Sequence, residues 1–218
     1  MRRSVPYVGR SFFQSAWTVL LVVLLPWLES HGAEAGKFNP DVAIGDPGQA
    51  WEKLPGVDDR VHSMKDLADR KIVVVIFTCN SCPYAVDYED RINRLARKYH
   101  SADSKVGIVA INVNRIEADQ LPAMKKRARE RDFQFPYLYD ETQKIAKAYG
   151  AVRTPEFFVL NQERKIAYMG AMDDHSSEPM VKNRYLETAI DALLNGKEIA
   201  IRETAPVGCR IRYASDRR

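Results

Sequence analysis

Cysteine is scarce in this chain: three residues in 218, at positions 79, 82 and 209. An exported protein that depends on disulfides for stability carries a denser and usually even set, so a disulfide-stapled scaffold is excluded. A surplus of one charge is also lacking. The formal net charge is only +4, which gives no general attraction for nucleic acid. The one basic stretch, Lys125-Lys126-Arg127-Ala128-Arg129, falls in a helical pattern whose buried side is marked by Leu121, Met124 and Ala128. It therefore reads as a solvated helix face. No apolar run reaches the roughly 20 residues that cross a bilayer. No internal repeat or low-complexity tract interrupts the chain.

At the N-terminus, Arg2, Arg3 and Arg10 precede an apolar run from Trp17 to Trp27, and a small-residue stretch ends at Ala33-Glu34-Ala35. That order matches a signal peptide with an A-x-A cleavage site. Residues 1–35 are thus expected to be a signal segment and the mature chain to begin at Gly36, with an uncleaved membrane anchor as the alternative. Arg2-Arg3 also admits a twin-arginine reading, which the strong apolar run makes secondary to ordinary secretion. No Cys adjoins the cleavage region, which excludes lipidation there. An exported, periplasmic or otherwise extracytoplasmic location follows as an expectation.

The remaining chain divides into a domain over residues 36–196 and a C-terminal tail over 197–218. Lys71 to Phe77 is a continuous β-branched run, the mark of a strand buried on both faces. From Pro83 onward, Ala85, Tyr88, Ile92, Leu95 and Tyr99 recur at spacings of three and four, which predicts an amphipathic helix. Asp87 with Arg91 and Asp90 with Arg94 read as i,i+4 ion pairs on its other side. Val106 to Ile111 predicts a second buried strand, and Pro122 to about Arg131 a second helix with Asp119 as its cap. A short strand near Phe135 to Tyr139 and a helix from Thr142 to Tyr149, stopped by Gly150, come next. Phe157 to Leu160 and Lys165 to Met169 form a hairpin, and a helix through Tyr185 to Leu194 ends at Asn195-Gly196. Alternating strands and helices of this kind predict an α/β fold, a mixed central sheet with helices on both faces.

The chemistry is concentrated in Cys79-Asn80-Ser81-Cys82, which follows the central strand and precedes a helix. Two cysteines so close constrain almost no unfolded-chain entropy, so they read as reactive rather than structural. Thiol–disulfide exchange needs a thiolate that attacks and a second thiol that releases the mixed disulfide. A helix start favours the thiolate through its unpaired N–H groups and partial positive charge. Buried inert thiols, a static disulfide and one half of a zinc site are the competing readings. No second Cys pair follows, and His62, His100 and His175 form no cluster in sequence, so no metal or other cofactor is expected.

Phe77-Thr78-Cys79-Asn80-Ser81-Cys82-Pro83-Tyr84-Ala85, followed by Tyr149-Gly150-Ala151-Val152-Arg153-Thr154-Pro155-Glu156-Phe157-Phe158, resembles the thioredoxin superfamily, in particular its redoxin and peroxiredoxin-like branch. The resemblance runs from about Ile44 to Cys209 and implies a thioredoxin-like three-layer sandwich. It also implies that Pro155 is cis and packs against the cysteine pair, and that the Thr154 backbone is free to pair with a substrate chain. The chain departs from the family in two ways. Measured from Cys82, the Thr of peroxiredoxins is replaced by Cys79, and their Arg falls near Pro155, leaving only neighbouring Arg153 as a substitute. The buried acid of thioredoxins is missing from Ile72 to Phe77, and Glu156 is the nearest candidate proton acceptor by analogy, a surface carboxylate being the other reading.

The function expected is an exported thiol–disulfide oxidoreductase acting on protein disulfides or dithiol donors through Cys79 and Cys82, with Cys79 as the attacking sulfur because the first sulfur of such pairs usually faces the partner. The alternatives are a thiol peroxidase using Cys82 and a copper carrier on the same fold. Cys209, in the tail, is either a bystander or a third redox thiol.

Overall fold

The computed structural model describes Met1 and residues 36–99, 101 and 103–214. Apart from Met1, the expected signal segment lies outside the described residues. In chain order the elements are β1 (Leu54–Pro55), β2 (Val61–His62), β3 (Ile72–Phe77), α1 (Pro83–Tyr99), β4 (Val106–Asn112), α2 (Leu121–Glu130) and β5 (Tyr137–Tyr139). They continue with α3 (Lys144–Ala148), β6 (Arg153–Thr154), β7 (Glu156–Leu160), β8 (Ile166–Gly170), α4 (Tyr185–Leu194) and β9 (Cys209–Arg210).

A five-stranded sheet runs β5-β4-β3-β7-β8. The pairs β3–β4 and β4–β5 are parallel, whereas β3–β7 and β7–β8 are antiparallel, which makes the sheet mixed as expected. Every residue of β3 and β4 is buried because both faces are covered. Ile72, Val74 and Ile76 pack with Tyr88 and Ile92 of α1, Met124 of α2 and Leu186 and Ile190 of α4. Val73, Val75 and Phe77 point the other way, toward Trp51, Tyr149 and Ala146 of α3. Phe77, Tyr149 and Phe158 meet edge-on with centroids 4.9 to 5.7 Å apart, a favoured aromatic geometry. This three-layer arrangement is the thioredoxin-like sandwich.

Two local expectations change. Arg91 does not pair along its own helix: it is buried, its Nη1 bonds Asp173 Oδ2 at 2.6 Å, and its guanidinium lies 3.6 Å from the Tyr88 ring centroid. Arg94 likewise reaches Glu178 rather than Asp90. Both arginines tie α1 to the loop before α4, Arg91 through a buried partner and Arg94 through an exposed one. In the basic stretch of α2, Lys126 and Arg129 are exposed as a solvated face requires, while Arg127 and, just beyond the helix, Arg131 both grip Glu89 at 2.8 Å.

Residues 197–214 form a packed strap rather than a loose tail. Ile199 and Ile211 are buried, and the Glu203 carboxylate accepts the backbone N–H groups of Lys37, Phe38 and Asn39. The Thr204 hydroxyl accepts the Ala171 N–H at 2.9 Å, and Met169 exchanges backbone bonds with Arg202 and Thr204. Gly170 makes this approach feasible: its φ is +127°, and a Cβ there would sit 2.1 Å from the Thr204 carbonyl oxygen.

Candidate functional site

β3 ends at Phe77 and delivers the cysteine pair to the start of α1. The Val86 N–H donates to the Cys82 carbonyl at 3.0 Å, so regular helical bonding begins at Cys82 and Pro83 occupies the first helical position. Pro fits there because its missing N–H would have no helical acceptor. Cys82 is therefore the helix cap, while Cys79 lies in the preceding loop.

That loop is held by a residue expected elsewhere. Asp119 does not cap α2, which starts after Gln120; it is fully buried and faces the cysteines. Its Oδ1 accepts the N–H groups of Asn80 and Ser81 at 2.7 and 2.9 Å, and its Oδ2 accepts the Ser81 hydroxyl at 2.6 Å and Asn114 Nδ2 at 3.1 Å. The Tyr137 hydroxyl donates to Asn80 Oδ1 at 3.1 Å, and Asn80 Nδ2 to the Ala118 carbonyl at 2.8 Å. Both residues between the cysteines are thus fixed from the β4–α2 connection.

Across the site, the Thr154–Pro155 bond is cis, as the resemblance implied. The Thr154 hydroxyl lies 3.3 Å from Cys79 Sγ, and its carbonyl accepts Cys82 Sγ–H at 3.1 Å. The Thr154 backbone is not free, however. β6 pairs antiparallel with β9, placing Thr154 opposite Cys209 and Arg153 opposite Arg210. The Cys209 N–H points to Cys82 Sγ at 3.4 Å, and its thiol packs against the buried pair. Arg153 donates to the Gly208 carbonyl at 2.8 Å.

All three cysteines are thiols, and their surroundings separate them. Cys82 falls to about 5: the Cys79 thiol bonds it first of all, followed by the Cys209 thiol and the N–H groups of Ala85 and Cys209. Burial opposes this ionisation, and the hydrogen bonds to the sulfur, that of the Cys79 thiol foremost, outweigh it. Cys79 moves the opposite way, because it shares its proton with Cys82, is buried, and faces the Asp119 charge. Cys209 is pushed up to about 11 by burial and by its contact with Cys82. The thiolate of the cluster therefore belongs to Cys82, and Cys79, only 3 % exposed against 2 % for Cys82, has no advantage of access.

Glu156 is not a surface carboxylate. It is buried, accepts the N–H groups of Val152 and Arg153 at 2.8 and 3.0 Å through one oxygen, and burial pushes it up to about 7. Its hydrogen bonds go to that turn rather than to a sulfur. Among the described residues, no group of three or more His, Cys, Asp and Glu side chains is arranged to hold a metal ion.

The family model described as Redoxin matches residues 34–185, well over half of the chain. The chain belongs to the Redoxin family. A solved structure of an uncharacterised conserved protein from Geobacillus kaustophilus is 34% identical, with a TM-score of 0.74 over 80% of this chain and 94% of that one. A hypothetical protein from Sinorhizobium meliloti 1021 is 28% identical, with the same TM-score, 0.74, over 81% and 98%. A putative thiol:disulfide interchange protein DsbE from Chlorobium tepidum, 21% identical with a TM-score of 0.55 over 70% and 99%, shares the fold. Comparison with curated proteins gave no match. The family assignment makes this redoxin an oxidoreductase.

The residues missed from sequence are Asp119 and Gly208. Asn112 and Asn114, polar positions closing an otherwise apolar strand, were the available signal for the first. At the carboxyl end of a buried strand, such a set marks a site wall. A Cβ on Gly208 would lie 2.1 Å from the Thr154 carbonyl oxygen, a requirement only the β6–β9 pairing reveals.

Proposed function

We propose that this redoxin is an exported thiol–disulfide oxidoreductase that exchanges electrons with protein disulfides or dithiol donors through Cys79 and Cys82. The observation that carries the reading is the bonded pair of thiols at the start of α1, with the thiolate on the capping sulfur and the cis Thr154–Pro155 turn against both. In the reducing direction, one sulfur attacks a partner disulfide and the partner's first thiolate leaves and takes up a proton. The second sulfur then closes the Cys79–Cys82 disulfide and frees the partner's other thiol. Two electrons pass from the pair to the partner. Glu156, titrating near neutrality, is the candidate acceptor for the proton released. The N-terminal basic and apolar segment supports export.

A peroxidase reading draws support from the Cys82 thiolate. Against it, Arg153, the only substitute for the missing Arg, spends its guanidinium on the Gly208 carbonyl. The dithiol reading requires Cys82→Ser to abolish turnover in a disulfide reduction assay and Cys79→Ser to lose most of it. Full activity in either variant rejects it, and peroxide consumption supported by Cys82 alone establishes the peroxidase instead.

A further inference from the structure

The edge of β6 beside the cis proline, where the family resemblance places a substrate chain, is occupied by the protein's own β9. Three features show that the fit is built. Thr154 and Cys209 are direct partners in an antiparallel pair. Gly208 lies so close to the Thr154 carbonyl that no side chain can replace its hydrogen. Arg153 fixes the Gly208 carbonyl at 2.8 Å, while beyond β9 the Ile211 N–H bonds the Val152 carbonyl at 2.9 Å and the Tyr213 hydroxyl bonds the Ala151 carbonyl at 2.5 Å. The strand therefore presents Cys209 to Cys82 as a docked partner would present its own cysteine. Of the three thiols only Cys209 is partly exposed; the other two are buried.

We propose that Cys209 is a third exchange thiol, a shuttle that forms a disulfide with Cys82 and carries it to the external dithiol donor. The inference rests on the exchange chemistry proposed for Cys79 and Cys82. In the internal step the Cys209 thiolate attacks the Cys82 sulfur of the Cys79–Cys82 disulfide. The Cys82–Cys209 bond forms, the Cys79–Cys82 bond breaks, and the Cys79 sulfur leaves beside the Thr154 hydroxyl and takes up the proton that Cys209 gave up. No net oxidation occurs. In the external step a donor thiolate attacks the outward Cys209 sulfur, and the electron pair of the broken bond stays on Cys82, whose stabilised thiolate is a good leaving group. The donor's second thiol then displaces Cys209. The donor is oxidised by two electrons and the protein is left with three thiols.

The test uses the full chain, reduced, treated with equimolar cyclic disulfide, acid-quenched, alkylated and mapped by mass spectrometry without reduction. Cys79→Ser is expected to yield an intramolecular Cys82–Cys209 disulfide, and the native chain to yield that linkage beside Cys79–Cys82. Only free thiols or intermolecular dimers in Cys79→Ser, or only Cys79–Cys82 in the native chain, overturns the shuttle. Gly208→Ala is expected to lower the Cys82–Cys209 yield about tenfold while Cys79–Cys82 still forms, because a disulfide tolerates little displacement; an undiminished yield overturns delivery by β9. Cys209→Ser preserves the shape of the strand and is expected to slow turnover with a dithiol donor about tenfold, and unchanged turnover counts against the shuttle. Failure of the underlying function looks different: the native chain would then form no Cys79–Cys82 disulfide and show no turnover at all.

Discussion

Asp119 grips Ser81 twice, its Oδ1 accepting the backbone N–H at 2.9 Å and its Oδ2 the hydroxyl at 2.6 Å. The same carboxylate opposes ionisation of Cys79, whereas the Thr154 hydroxyl at 3.3 Å favours it. Substitution of the two should move Cys79 in opposite directions. Asp119→Asn removes the charge and lowers the Cys79 pKa, while Thr154→Val removes a donor and raises it. The pH dependence of Cys79 alkylation, read in a chain where Cys82 and Cys209 are serine, measures both. Shifts of the same sign would refute this electrostatic account. Asp119→Ala should also cost about 1–3 kcal/mol, since the part-buried N–H groups of Asn80 and Ser81 lose a charged acceptor.

The ionisable sulfur is Cys82, lowered to about 5. Ultraviolet thiolate absorbance of the reduced protein should therefore titrate near pH 5, and Cys82→Ser should abolish that transition. Survival of the transition in Cys82→Ser, with its loss in Cys79→Ser, would place the thiolate on the first sulfur instead. The largest cause is the hydrogen bond from the Cys79 thiol, and because the helix begins at Cys82 the Ala85 N–H adds to it.

The central layers were legible in the sequence because local pattern and burial coincide there. The run Ile72 to Phe77 has no polar face and can only be a covered strand, and the stripe through Ala85, Tyr88 and Ile92 permits a single buried face for α1. The cysteine pair was legible from its spacing between a buried strand and a helix, and Pro155 through the resemblance. What was hidden depends on partners distant in the chain. β6 and β9 are two residues each and exist only because they meet across more than fifty positions. The strap has no periodicity, since it is held by single contacts such as Glu203 to Phe38 and Thr204 to Ala171. Arg91 was misassigned because spacing offered Asp87, whereas the fold offers the buried Asp173.

The strap's attachment can be tested away from the cysteines. Gly170 combines a φ of +127° with a 2.1 Å approach of its would-be Cβ to the Thr204 carbonyl oxygen. Gly170→Ala should therefore cost about 2–4 kcal/mol, seen as a thermal midpoint roughly 5–15 °C lower. Because the clash is with the strap, limited proteolysis should cut residues 197–214 earlier than in the native chain. A lower midpoint with unchanged strap cleavage would place the damage in the sheet instead.

Burial sets the pH response of Glu156, whose carboxyl is pushed up from 4.5 to about 7. A carboxyl raised in the folded state binds its proton more tightly there than in the unfolded chain. Its contribution to stability is full below pH 4.5, declines as pH rises through 7, and is absent above that. A shift of that size corresponds to about 3 kcal/mol between the two ends of the window. Glu156→Gln cannot ionise, and its amide oxygen can occupy the position of Oε2, which accepts both the Val152 and Arg153 N–H groups. Denaturant midpoints recorded between pH 5 and 8 should thus decline less steeply for Glu156→Gln than for the native chain. If the carboxyl also takes the proton released in exchange, the variant should lose activity mainly above pH 7, where Glu156 is ionised and able to accept. Parallel midpoint curves would show that the carboxyl titrates normally in the folded state, and would remove it as a proton acceptor near neutrality.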